Sequence, residues 1–397
     1  MKRILKTKIL NCEYRPNEFL NEHVQAYSVS KSLRLSGFEV TLLTSEVVSY
    51  GFFSRYPHKR ILSPKSDDVK FNSFLIKLLE KEHYDVIIPL CNEGAEYLSK
   101  HYVELKKYGV ALAVMPWDVF EKAHNKEKLM EVCKIHGLPH PRTMKLSREN
   151  ISAAVDYVGF PALIKPNFSV GARGITMVRN VSELQKKYET ILLEYGNSTL
   201  QEFVKSSGSY YNVMLYRTRE GTVKAYTIIE IKRFFPIKGG SSCFCVTIEN
   251  QDLLKICSET LEVLHWEGFA DFDVMQDDDT GEYRILEINP RIPASIEAAF
   301  VSGINFPELI VSDLLGLELK QYTYTPGKML RFLVLDFMWF VTSPKRFSFR
   351  PSFFHFIDKD LYYQDASLKD PLLLLIGLIT GLRRIFNIKY LRSKFCS

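Results

Sequence analysis

The sequence has no cysteine pattern of the kind that holds zinc, and it has no long apolar run. Its seven cysteines include no CxxC pair, and only Cys243 and Cys245 lie close together, two apart on a predicted strand. This odd number and spacing fit neither a zinc site nor a disulfide framework. No segment approaches the roughly 18 to 20 apolar residues of a membrane span, and the N-terminus lacks the apolar run of a signal peptide. We therefore expect reduced thiols and a cytoplasmic protein.

The body of the chain also lacks a surplus of positive charge. The 397 residues carry a formal net charge of +6, but residues 316–397 alone hold 13 Lys and Arg against 6 Asp and Glu. Residues 1–315 therefore carry a net charge of −1. A nearly neutral body argues against nucleic acid as a partner, because nucleic-acid-binding domains present a basic face.

The first 115 residues have no GxGxxG motif after the first strand, so they do not indicate a dinucleotide site. VTLLT (40–44) and YDVIIPL (84–90) are typical of buried parallel strands, and a helix between them is capped by Ser66 or Asp67. An earlier helix ends at Gly37, where a C-terminal glycine is expected. Residues 1–115 are predicted to form an open α/β domain.

Residues 116–315 combine strand and helix signals in a different way. A run of antiparallel-type strands with interspersed helices is typical of an α+β fold. The C-terminal residues, 316–397, have a strand-like stretch over 324–341 and a final apolar, basic helix. The elements predicted in 116–315 are a helix over about 126–136 and strands near 161–166, 174–179, 199–204, 210–217, 223–230, 268–276 and 283–289.

The stretch YRILEINPR (283–291) places polar residues on an apolar strand. Glu287 and Asn289 are two apart and face the same way, and a carboxylate with an amide oxygen suits Mg²⁺. MQDDDTGEYR is a hairpin signal that would bring Asp273, which ends GFADFDV, beside Glu287. Acids placed so close together are costly without a cation, and Asp271 remains open as the ligand in place of Asp273. A solvent-facing acidic surface is the alternative, but it does not explain the apolar residues that flank each acid.

A second polar group lies in PALIKPNFSVGARGITMV (161–178). Lys165 ends an apolar strand, and the following loop contains Ser169, Gly171 and Gly174 before another strand begins. A glycine-bearing loop can turn its N–H groups toward phosphates, and a neighbouring lysine can neutralise them. A hairpin with an exposed lysine is the open alternative for this segment.

A third segment, TLQEFVKSSGSYYNV (199–213), leads from Gln201 and Glu202 into polar turn residues. Such a hinge can offer backbone groups and one side chain to an adenine edge. The order of the pieces is a lysine at a helix start in HNKEKLMEVCKIHGLPHPRT, then Lys165 with its glycine loop, then QEFV, then DFDV and LEINPR. This order resembles the ATP-grasp superfamily, and within it the carbamoyl-phosphate-synthase-like branch of carboxylate–amine ligases. The likeness runs from residue 1 to about 310 and includes PLCNEGA (89–95).

The resemblance implies a Rossmann-like, pre-ATP-grasp α/β domain (1–115), an α+β ATP-grasp domain (116–315) and a C-terminal extension (316–397). It implies ATP and Mg²⁺ as cofactors, with Mn²⁺ as a substitute. Arg291 is expected to steady the transferring phosphoryl group, and Arg233 to belong to a lid that meets the substrate and the γ-phosphate. The other implied residues are Lys126, Lys165, Ser169, Gly171 and Gly174 for the phosphates and their covering loop, Gln201, Glu202 and Val204 for adenine, and Asp273, Glu287 and Asn289 for Mg²⁺.

Two positions depart from the family's pattern. Members often carry an acid that contacts the ribose in the segment corresponding to 209–212, where this sequence has Ser-Tyr-Tyr-Asn. This difference would weaken or alter nucleotide binding. The metal-binding acid at position 273 is Asp, one methylene shorter than the more frequent Glu.

The function that the resemblance implies is ATP-dependent ligation of a small carboxylic acid or amino acid to an amine through an acyl phosphate. Formation of carbamoyl phosphate or carboxyphosphate is less favoured, because the chain has one ATP-grasp unit and no visible ammonia-supplying domain. A catalytically inactive nucleotide-binding scaffold is the alternative from another class. The intact Lys165, Glu287, Asn289 and Arg291 argue against it.

The expected partners are a small acid and an amine, and dimers are common in proteins of this kind. The tail DPLLLLIGLITGLRRIFNIKYLRSKF (370–395) is too short and too basic to span a membrane. It could lie at an anionic membrane surface, or it could dock on a protein. A membrane-peripheral location therefore stays open beside the cytoplasmic one.

Overall fold

The computed structural model describes residues 7–13, 24–65, 69–168, 174–237, 240–367 and 370–386. The predicted caps Ser66 and Asp67 and the loop residues Ser169 and Gly171 lie outside this part of the chain. The five cysteines whose side chains are described are all buried. No helix in the described ranges is long and apolar enough to cross a membrane.

An open parallel sheet forms the N-terminal part of the structure. Its elements are β1 (Lys8–Glu13), α1 (Val24–Leu35), β2 (Glu39–Thr44), α2 (Tyr50–Phe53), β3 (Lys59–Leu62), α3 (Lys70–Lys81), β4 (Val86–Pro89), α4 (Asn92–Lys100), α5 (Tyr102–Lys106) and β5 (Ala111–Leu112). The strand order is β3-β2-β1-β4-β5, and every neighbouring pair is parallel. Gly37 follows α1 with φ of +91°, a conformation that favours glycine. The predicted strands at 40–44 and 84–90, and the helix stop at Gly37, are confirmed.

A small antiparallel sheet comes next. Its elements are α6 (Trp117–His124), α7 (Lys126–Ile135), β6 (Thr143–Lys145), α8 (Ile151–Val158), β7 (Ala162–Pro166), β8 (Thr176–Val178), α9 (Val181–Tyr195) and β9 (Ser198–Glu202). The strand order is β6-β9-β7-β8. The side chain of Asn125 accepts hydrogen bonds from the N–H groups of Glu127 and Lys128, at 3.0 and 3.2 Å. This cap begins α7 at Lys126, where the sequence predicts the helix.

A seven-stranded sheet forms the largest layer, with the order β14-β13-β10-β11-β12-β15-β16 once its elements are numbered along the chain. Its pairs are antiparallel except β15 with β16. The strands predicted at 210–217, 223–230, 268–276 and 283–289 are all present. The elements are β10 (Tyr210–Arg217), β11 (Val223–Phe235), β12 (Ser241–Ile248), α10 (Gln251–Val263), β13 (Gly268–Gln276), β14 (Tyr283–Asn289), α11 (Ile296–Val301), α12 (Phe306–Leu314), β15 (Met329–Arg331), α13 (Leu333–Thr342), β16 (Leu361–Tyr363) and α14 (Leu372–Phe386).

Residues beyond 316 contribute two strands to this sheet, because β15 pairs with β12 and β16 pairs with β15. The strand predicted over 324–341 is wrong for its second half, which forms helix α13. The side chain of Asp365 accepts hydrogen bonds from the N–H groups of Leu333 and Val334, at 2.8 and 3.0 Å. These bonds satisfy donors of the first turn. A continuous apolar run alone does not distinguish a strand from a buried helix.

One hydrophobic core joins the parallel sheet to the large sheet. Ile9 and Val29 of the N-terminal part pack in the same cluster as Met214 and Phe306. Polar contacts reinforce this junction, including an ion pair between Lys31 of α1 and Glu297 of α11. The candidate site lies where the ends of these layers meet.

Candidate functional site

The two strands predicted to carry the acids are antiparallel neighbours. Asp273 of β13 lies opposite Glu287 of β14, and Asp271 lies opposite Asn289. The turn between the strands contains Gly281 with φ of +72°. The predicted hairpin, and the pairing of Asp273 with Glu287, are therefore confirmed. Because directly opposite residues are about 5 Å apart, the three acids and the amide occupy one patch of the sheet.

Amide groups on both neighbouring strands hold the carboxylate of Asp273. Asn212 of β10 lies opposite Asp273, and its Nδ2 donates a hydrogen bond to Oδ1 of that acid. Nδ2 of Asn289 donates to the other oxygen, Oδ2, at 3.3 Å. Sequence reasoning did not select Asn212, although it lies in the segment 209–212 that departs from the family's pattern. This departure places a neutral donor beside the acid instead of a further negative charge.

An ion pair links the start of α7 to β14. Nζ of Lys126 lies 3.0 Å from Oε2 of Glu287, and the Lys126 side chain is only 5% exposed. The backbone N–H of Lys126 donates to the carbonyl oxygen of Asn167 at 3.2 Å. Nδ2 of Asn167 donates in turn to Oε2 of Glu127 at 2.6 Å. These contacts fix the start of α7 against the residue that follows β7.

Lys165 on β7 is a second buried cation, with 6% of its surface exposed. Burial lowers the pKa of Lys165 to about 8, while attraction to Glu287 opposes the shift and repulsion from Lys126 adds to it. An anion placed beside this amine would favour its charged form. The open alternative for this segment, a hairpin with an exposed lysine, is therefore wrong.

The three carboxylates of β13 and β14 differ in their ionisation. Burial raises the pKa of Asp271 to about 8 and holds the pKa of Asp273 well above its usual value, and the charge of Glu287 adds to both shifts. Burial also opposes the ionisation of Glu287, but Lys126 and Lys165 help to outweigh it, and its pKa falls to about 2. Oδ1 of Asp271 is buried and has no hydrogen-bond partner. A cation bound here would favour the charged form of all three acids.

The oxygen donors of this patch fit a Mg²⁺ ion that also binds phosphate. Asp273 and Glu287 offer carboxylates and Asn289 offers an amide oxygen, all of them hard ligands. Within the described residues, no three His, Cys, Asp or Glu side chains are arranged to hold a metal ion. Mg²⁺ usually takes only one or two carboxylates and completes its shell with water and substrate phosphates. The donor set suits that mode of binding.

Arg291 connects the patch to the N-terminal sheet. Its Nε donates to Oδ1 of Asn92 at 2.7 Å, and one terminal nitrogen donates to Oδ1 of Asn289 at 3.4 Å. Asn92 is the buried first residue of α4 and belongs to the segment PLCNEGA (89–95). Sequence reasoning noted that segment but did not select Asn92. The guanidinium of Arg291 is thus oriented by helix α4 and by strand β14.

Gly174 ends the predicted phosphate loop and begins the approach to β8. Its φ is +71°, and a Cβ atom at this position would lie 2.8 Å from Cγ of Pro166 and 3.0 Å from the ring of Tyr195. Both the conformation and the space therefore require glycine. The positions of Ser169 and Gly171 lie outside the part of the chain that the structure describes.

Gln201 on β9 shares a sheet face with Lys165. In the pairing of β7 with β9, Leu163 lies opposite Gln201 and Lys165 lies opposite Thr199. Residues two apart on a strand face the same way, so all four side chains lie on one face. Gln201 is buried, and its Nε2 donates to Oγ1 of Thr143 at 3.0 Å.

Glu202 points to the opposite face from Gln201. Its carboxylate pairs with the guanidinium of Arg142 at 3.0 Å and accepts the backbone N–H of the same residue at 3.1 Å. Val204, two residues beyond the end of β9, is buried. Of the two polar side chains in QEFV, only Gln201 shares the face of the buried lysine.

Arg233 does not fit its predicted role in a lid. Its Nε and one terminal nitrogen donate to the two oxygens of Asp336, at 2.6 and 2.7 Å, and the other terminal nitrogen donates to the carbonyl of Pro351 at 2.7 Å. The guanidinium also lies over the rings of Phe244 and Trp339, at 4.3 and 4.9 Å. A side chain that is fully buried and engaged in this way cannot meet a substrate. We therefore correct the expectation and assign Arg233 to the packing of α13 against β11.

Two protein-family models match parts of the chain that contain these residues. The model described as "Carbamoyl-phosphate synthase L chain, ATP binding domain" matches residues 122–205. The model described as "ATP-grasp in the biosynthetic pathway with Ter operon" matches residues 221–334. The first range contains both buried lysines, and the second contains the acids of β13 and β14.

Two known proteins show the range of sequence similarity. The D-aspartate ligase of Enterococcus faecium (strain Aus0004) is 23% identical over 286 residues, which span 66% of this chain and 67% of that protein. The N-terminal section of the carbamoyl phosphate synthase large chain of Aquifex aeolicus (strain VF5) is 23% identical over 308 residues, 73% of this chain. The match covers 54%, about half, of that relative's length.

A solved structure shows the same fold. It is the biotin carboxylase domain dimer of 2-oxoglutarate carboxylase from Hydrogenobacter thermophilus, in complex with MgADP, ADP and bicarbonate. It superposes with a TM-score of 0.64 at 16% identity, over 81% of this chain and 72% of that one. At this level of identity the likeness concerns the fold alone.

Proposed function

The chain belongs to the ATP-grasp superfamily, and on that premise we propose that it is an ADP-forming ligase. In this reaction ATP converts the carboxylate of a small acid or amino acid into an acyl phosphate. An amine then attacks the acyl carbon, a carbon–nitrogen bond forms, and inorganic phosphate leaves. A relative that is named a D-aspartate ligase supports an amino acid among the substrates.

The observation that carries the proposal is the ion pair between Lys126 and Glu287, at 3.0 Å, beside the buried Lys165. Two lysines and three acids meet in a largely buried site, where burial disfavours the charged form of each group. A ligand with matching charges would compensate this cost. A triphosphate with a divalent cation supplies the matching charges: phosphate oxygens for the lysines and a metal ion for the acids.

Lys126 and Lys165 bind phosphate oxygens of the nucleotide in this proposal. Phosphoryl transfer depends mainly on in-line positioning and on neutralisation of charge. Glu287 holds Lys126 in place, and the low pKa of Glu287 keeps this acid charged at neutral pH. Lys165, with its lowered pKa, gains its full charge when a phosphate lies beside it.

Asp273, Glu287 and Asn289 are the residues that would hold Mg²⁺, with Asp271 as the alternative to Asp273. When bound, the ion neutralises phosphate oxygens and orients them for transfer. We propose Mn²⁺ as a substitute, since it accepts the same oxygen ligands. Asn212 supports the set by donating to Asp273.

Arg291 is proposed to stabilise the transferring phosphoryl group or the acyl phosphate. A guanidinium can make two parallel hydrogen bonds to a pair of oxygens. Its hydrogen bond to Asn92, at 2.7 Å, orients it from the start of helix α4. This contact gives the N-terminal part of the chain a direct role in the site.

The five-stranded parallel sheet is, in our proposal, the Rossmann-like pre-ATP-grasp domain of residues 1–115. Its strand order, β3-β2-β1-β4-β5, matches the first five strands of the doubly wound order. The ATP-grasp domain would begin at 116 and take in β15 and β16, which belong to its sheet. It would therefore extend past the predicted boundary at 315.

At the adenine end we propose Gln201 and the backbone of Val204 as contacts. Gln201 lies on the face of Lys165, which the phosphates would also occupy. Glu202 is already paired with Arg142, so its carboxylate serves that contact.

An assay of ADP release tests the proposal. The purified full chain is incubated with ATP, Mg²⁺ and a panel of amino acids, short-chain acids and amines. A ligase releases ADP only when both a matching acid and a matching amine are present, and mass spectrometry detects the joined product. ADP release with bicarbonate and ammonia would favour carbamoyl phosphate formation instead. ATP binding without turnover across the panel would favour a scaffold.

Three further proposals concern the oligomeric state, the cellular location and a contact with a membrane. We propose a homodimer, since a domain with the same fold was solved as a dimer, and light scattering after size-exclusion chromatography checks it. We propose a cytoplasmic location, because the number and spacing of the seven cysteines do not fit a disulfide framework. A peripheral contact with a membrane is the third proposal, and the surface that would make it is derived below.

A further inference from the structure

Residues 337–357 carry a concentration of aromatic side chains at the C-terminal side of the large sheet. This segment contains seven Phe and one Trp, together with Lys345, Arg346 and Arg350, and it contains no Asp or Glu. It comprises the second half of α13 and the loop that leads toward β16. Neither the acids of the candidate site nor its lysines belong to it.

Several of these side chains form one contiguous exposed surface. The ring of Phe340 lies 5.5 Å from the ring of Phe347 and 5.4 Å from that of Phe354. Phe337 lies three residues before Phe340 and four before Val341 on α13, and these spacings make helix side chains neighbours. Six large apolar side chains of this segment are exposed, and we call them together the aromatic patch: Phe337, Val341, Phe347, Phe354, Phe356 and Ile357.

The exposure of the aromatic patch is high for such large apolar groups. Phe347 is 67% exposed, Phe354 is 58% exposed and Ile357 is 93% exposed. Soluble monomers rarely expose large contiguous apolar patches, and large patches that are rimmed by polar residues mark protein or membrane interaction sites. The aromatic patch therefore has the character of a docking surface.

Three cations lie within a few residues of the aromatic patch in the sequence, and they point to the kind of partner it binds. Lys345, Arg346 and Arg350 are exposed, and none of them pairs with an acid among the described residues. Arg346 instead donates to the carbonyl of Val341 at 3.3 Å and lies 5.5 Å from the ring centre of Phe347. The neighbouring Lys328, by contrast, pairs with Asp360 at 2.7 Å.

We propose that the aromatic patch and these three cations dock on an anionic lipid bilayer. Aromatic rings prefer the boundary between headgroups and acyl chains, and nearby Lys and Arg bind the phosphates above it. The charge surplus of residues 316–397, with 13 basic against 6 acidic side chains, complements an anionic surface as a whole. A single protein partner would need an apolar surface for the rings and negative charges placed to meet the three cations. An anionic bilayer offers apolar acyl chains and negative headgroups over its whole surface.

This surface differs from the one predicted in the tail. Helix α14 also exposes apolar side chains, at Leu372, Leu375 and Leu378, and residues 387–397 lie outside the described ranges. Arg383 and Arg384 lie on α14 too, but residues 372–379 of that helix include no aromatic ring, so we place the principal contact at the aromatic patch. The inference does not depend on the ligase reaction, because it concerns only where the protein is held.

Sedimentation of the full chain with lipid vesicles tests the proposal. Vesicles of phosphatidylcholine are compared with vesicles that also contain phosphatidylglycerol, at low and high salt. We expect binding to the anionic vesicles only, weakened by salt. Failure of the wild-type chain to bind anionic vesicles, or equal binding to neutral ones, overturns the proposal.

Matched variants locate the surface. The Phe347→Ser/Phe354→Ser pair should weaken binding about ten-fold or more, and Arg346→Ala/Arg350→Ala should weaken it about 25-fold, about five-fold for each cation. The control pair Leu193→Ser/Lys186→Ala changes an exposed leucine, 85% accessible, and a lysine on α9. It should bind as the wild type does.

The remaining outcomes each decide against the aromatic patch. Loss of binding in Leu375→Ser/Leu378→Ser, with full binding in the patch variants, would move the contact to α14. Patch variants that turn a dimer into a monomer without changing vesicle binding would make the surface an interface between two copies. ADP release is measured on every variant as a separate assay. A failure of the ligase proposal therefore does not affect the vesicle result, and a failure of the membrane proposal does not affect the ligase result.

Discussion

Lys126 and Glu287 form an ion pair, Nζ to Oε2 at 3.0 Å, that joins the start of α7 to β14. Glu287 also lies opposite Asp273 across the hairpin, so its carboxylate has a lysine on one side and an aspartate on the other. Such a residue can contact a metal ion and a phosphate-binding lysine together. Glu287 is therefore the position where the proposed chemistry is most sensitive to change.

Replacing Glu287 with Gln should lower the rate of ADP release by about 100-fold or more, because the variant loses a charged metal ligand and the partner of Lys126. The rate is measured with saturating ATP and the acid and amine found in the panel. Glu194→Gln, an exposed acid on α9, is the matched control and should keep the wild-type rate. A Glu287→Gln enzyme with full turnover would contradict the metal assignment.

The choice between Asp271 and Asp273 can be made by titrating Mg²⁺. We expect Asp273→Asn to raise the half-saturating Mg²⁺ concentration about ten-fold or more, since Asp273 lies directly opposite Glu287. Asp271→Asn should change it less, because Asp271 lies opposite the neutral Asn289 and not opposite Glu287. The reverse ranking would make Asp271 the ligand.

The lowered pKa of Lys165 predicts how stability depends on pH. Between the folded pKa of about 8 and the ordinary value of 10.5, the unfolded chain binds more protons than the native one, so stability rises with pH in this window. The variant Lys165→Met lacks this contribution. From about pH 7.5 to about pH 9.5, the wild type should gain about 2 kcal/mol relative to Lys165→Met.

Urea denaturation of the ligand-free protein at the two pH values measures this difference. Lys186→Met, at an exposed position on α9, is the control and should follow the wild type at both. An unchanged gap between the wild type and Lys165→Met would mean that Lys165 keeps an ordinary pKa in the folded protein.

Asp336 should prove important for stability and not for chemistry. It binds Arg233 through two hydrogen bonds and lies 3.0 Å from Nε of Arg331, and all three side chains are fully buried. Asp336→Ala leaves two buried cations without their counter-charge, which should cost about 3 to 5 kcal/mol of unfolding free energy. Asp279→Ala removes an exposed partner of Lys205 and should change stability little.

The milder variant Arg233→Lys separates the two roles of Arg233. Lysine cannot reproduce the paired bonds to Asp336, so we expect a lower melting temperature with the ADP release of the folded enzyme unchanged. A normal melting temperature with greatly reduced turnover would restore Arg233 to the predicted lid.

Local patterns predicted the hairpin and the start of the helix at Lys126, because the signals lie within a few residues of the groups they position. The turn Asp-Thr-Gly set the pairing of Asp273 with Glu287, and the Asn125 cap set the start of α7. These contacts depend on strand period and capping, which the sequence shows directly.

Contacts between distant segments could not be predicted in this way. Asp336 lies 103 positions from Arg233, and Asn92 lies 199 positions from Arg291. No periodicity links such residues, because only the packed fold brings them together. The same reason explains why the second half of the apolar run 324–341 was wrongly assigned to a strand. The carboxylate of Asp365, which caps α13, comes some thirty residues later in the sequence.

The most direct test of a nucleotide clamped between paired lysines and the acids of β13 and β14 is the binding of a non-hydrolysable ATP analogue with Mg²⁺, measured by isothermal titration calorimetry. We expect one site in the wild-type chain and a loss of affinity of about ten-fold or more in Lys126→Met, with Lys186→Met unchanged. Binding of equal strength in Lys126→Met and the wild type, or no binding in either, would contradict it.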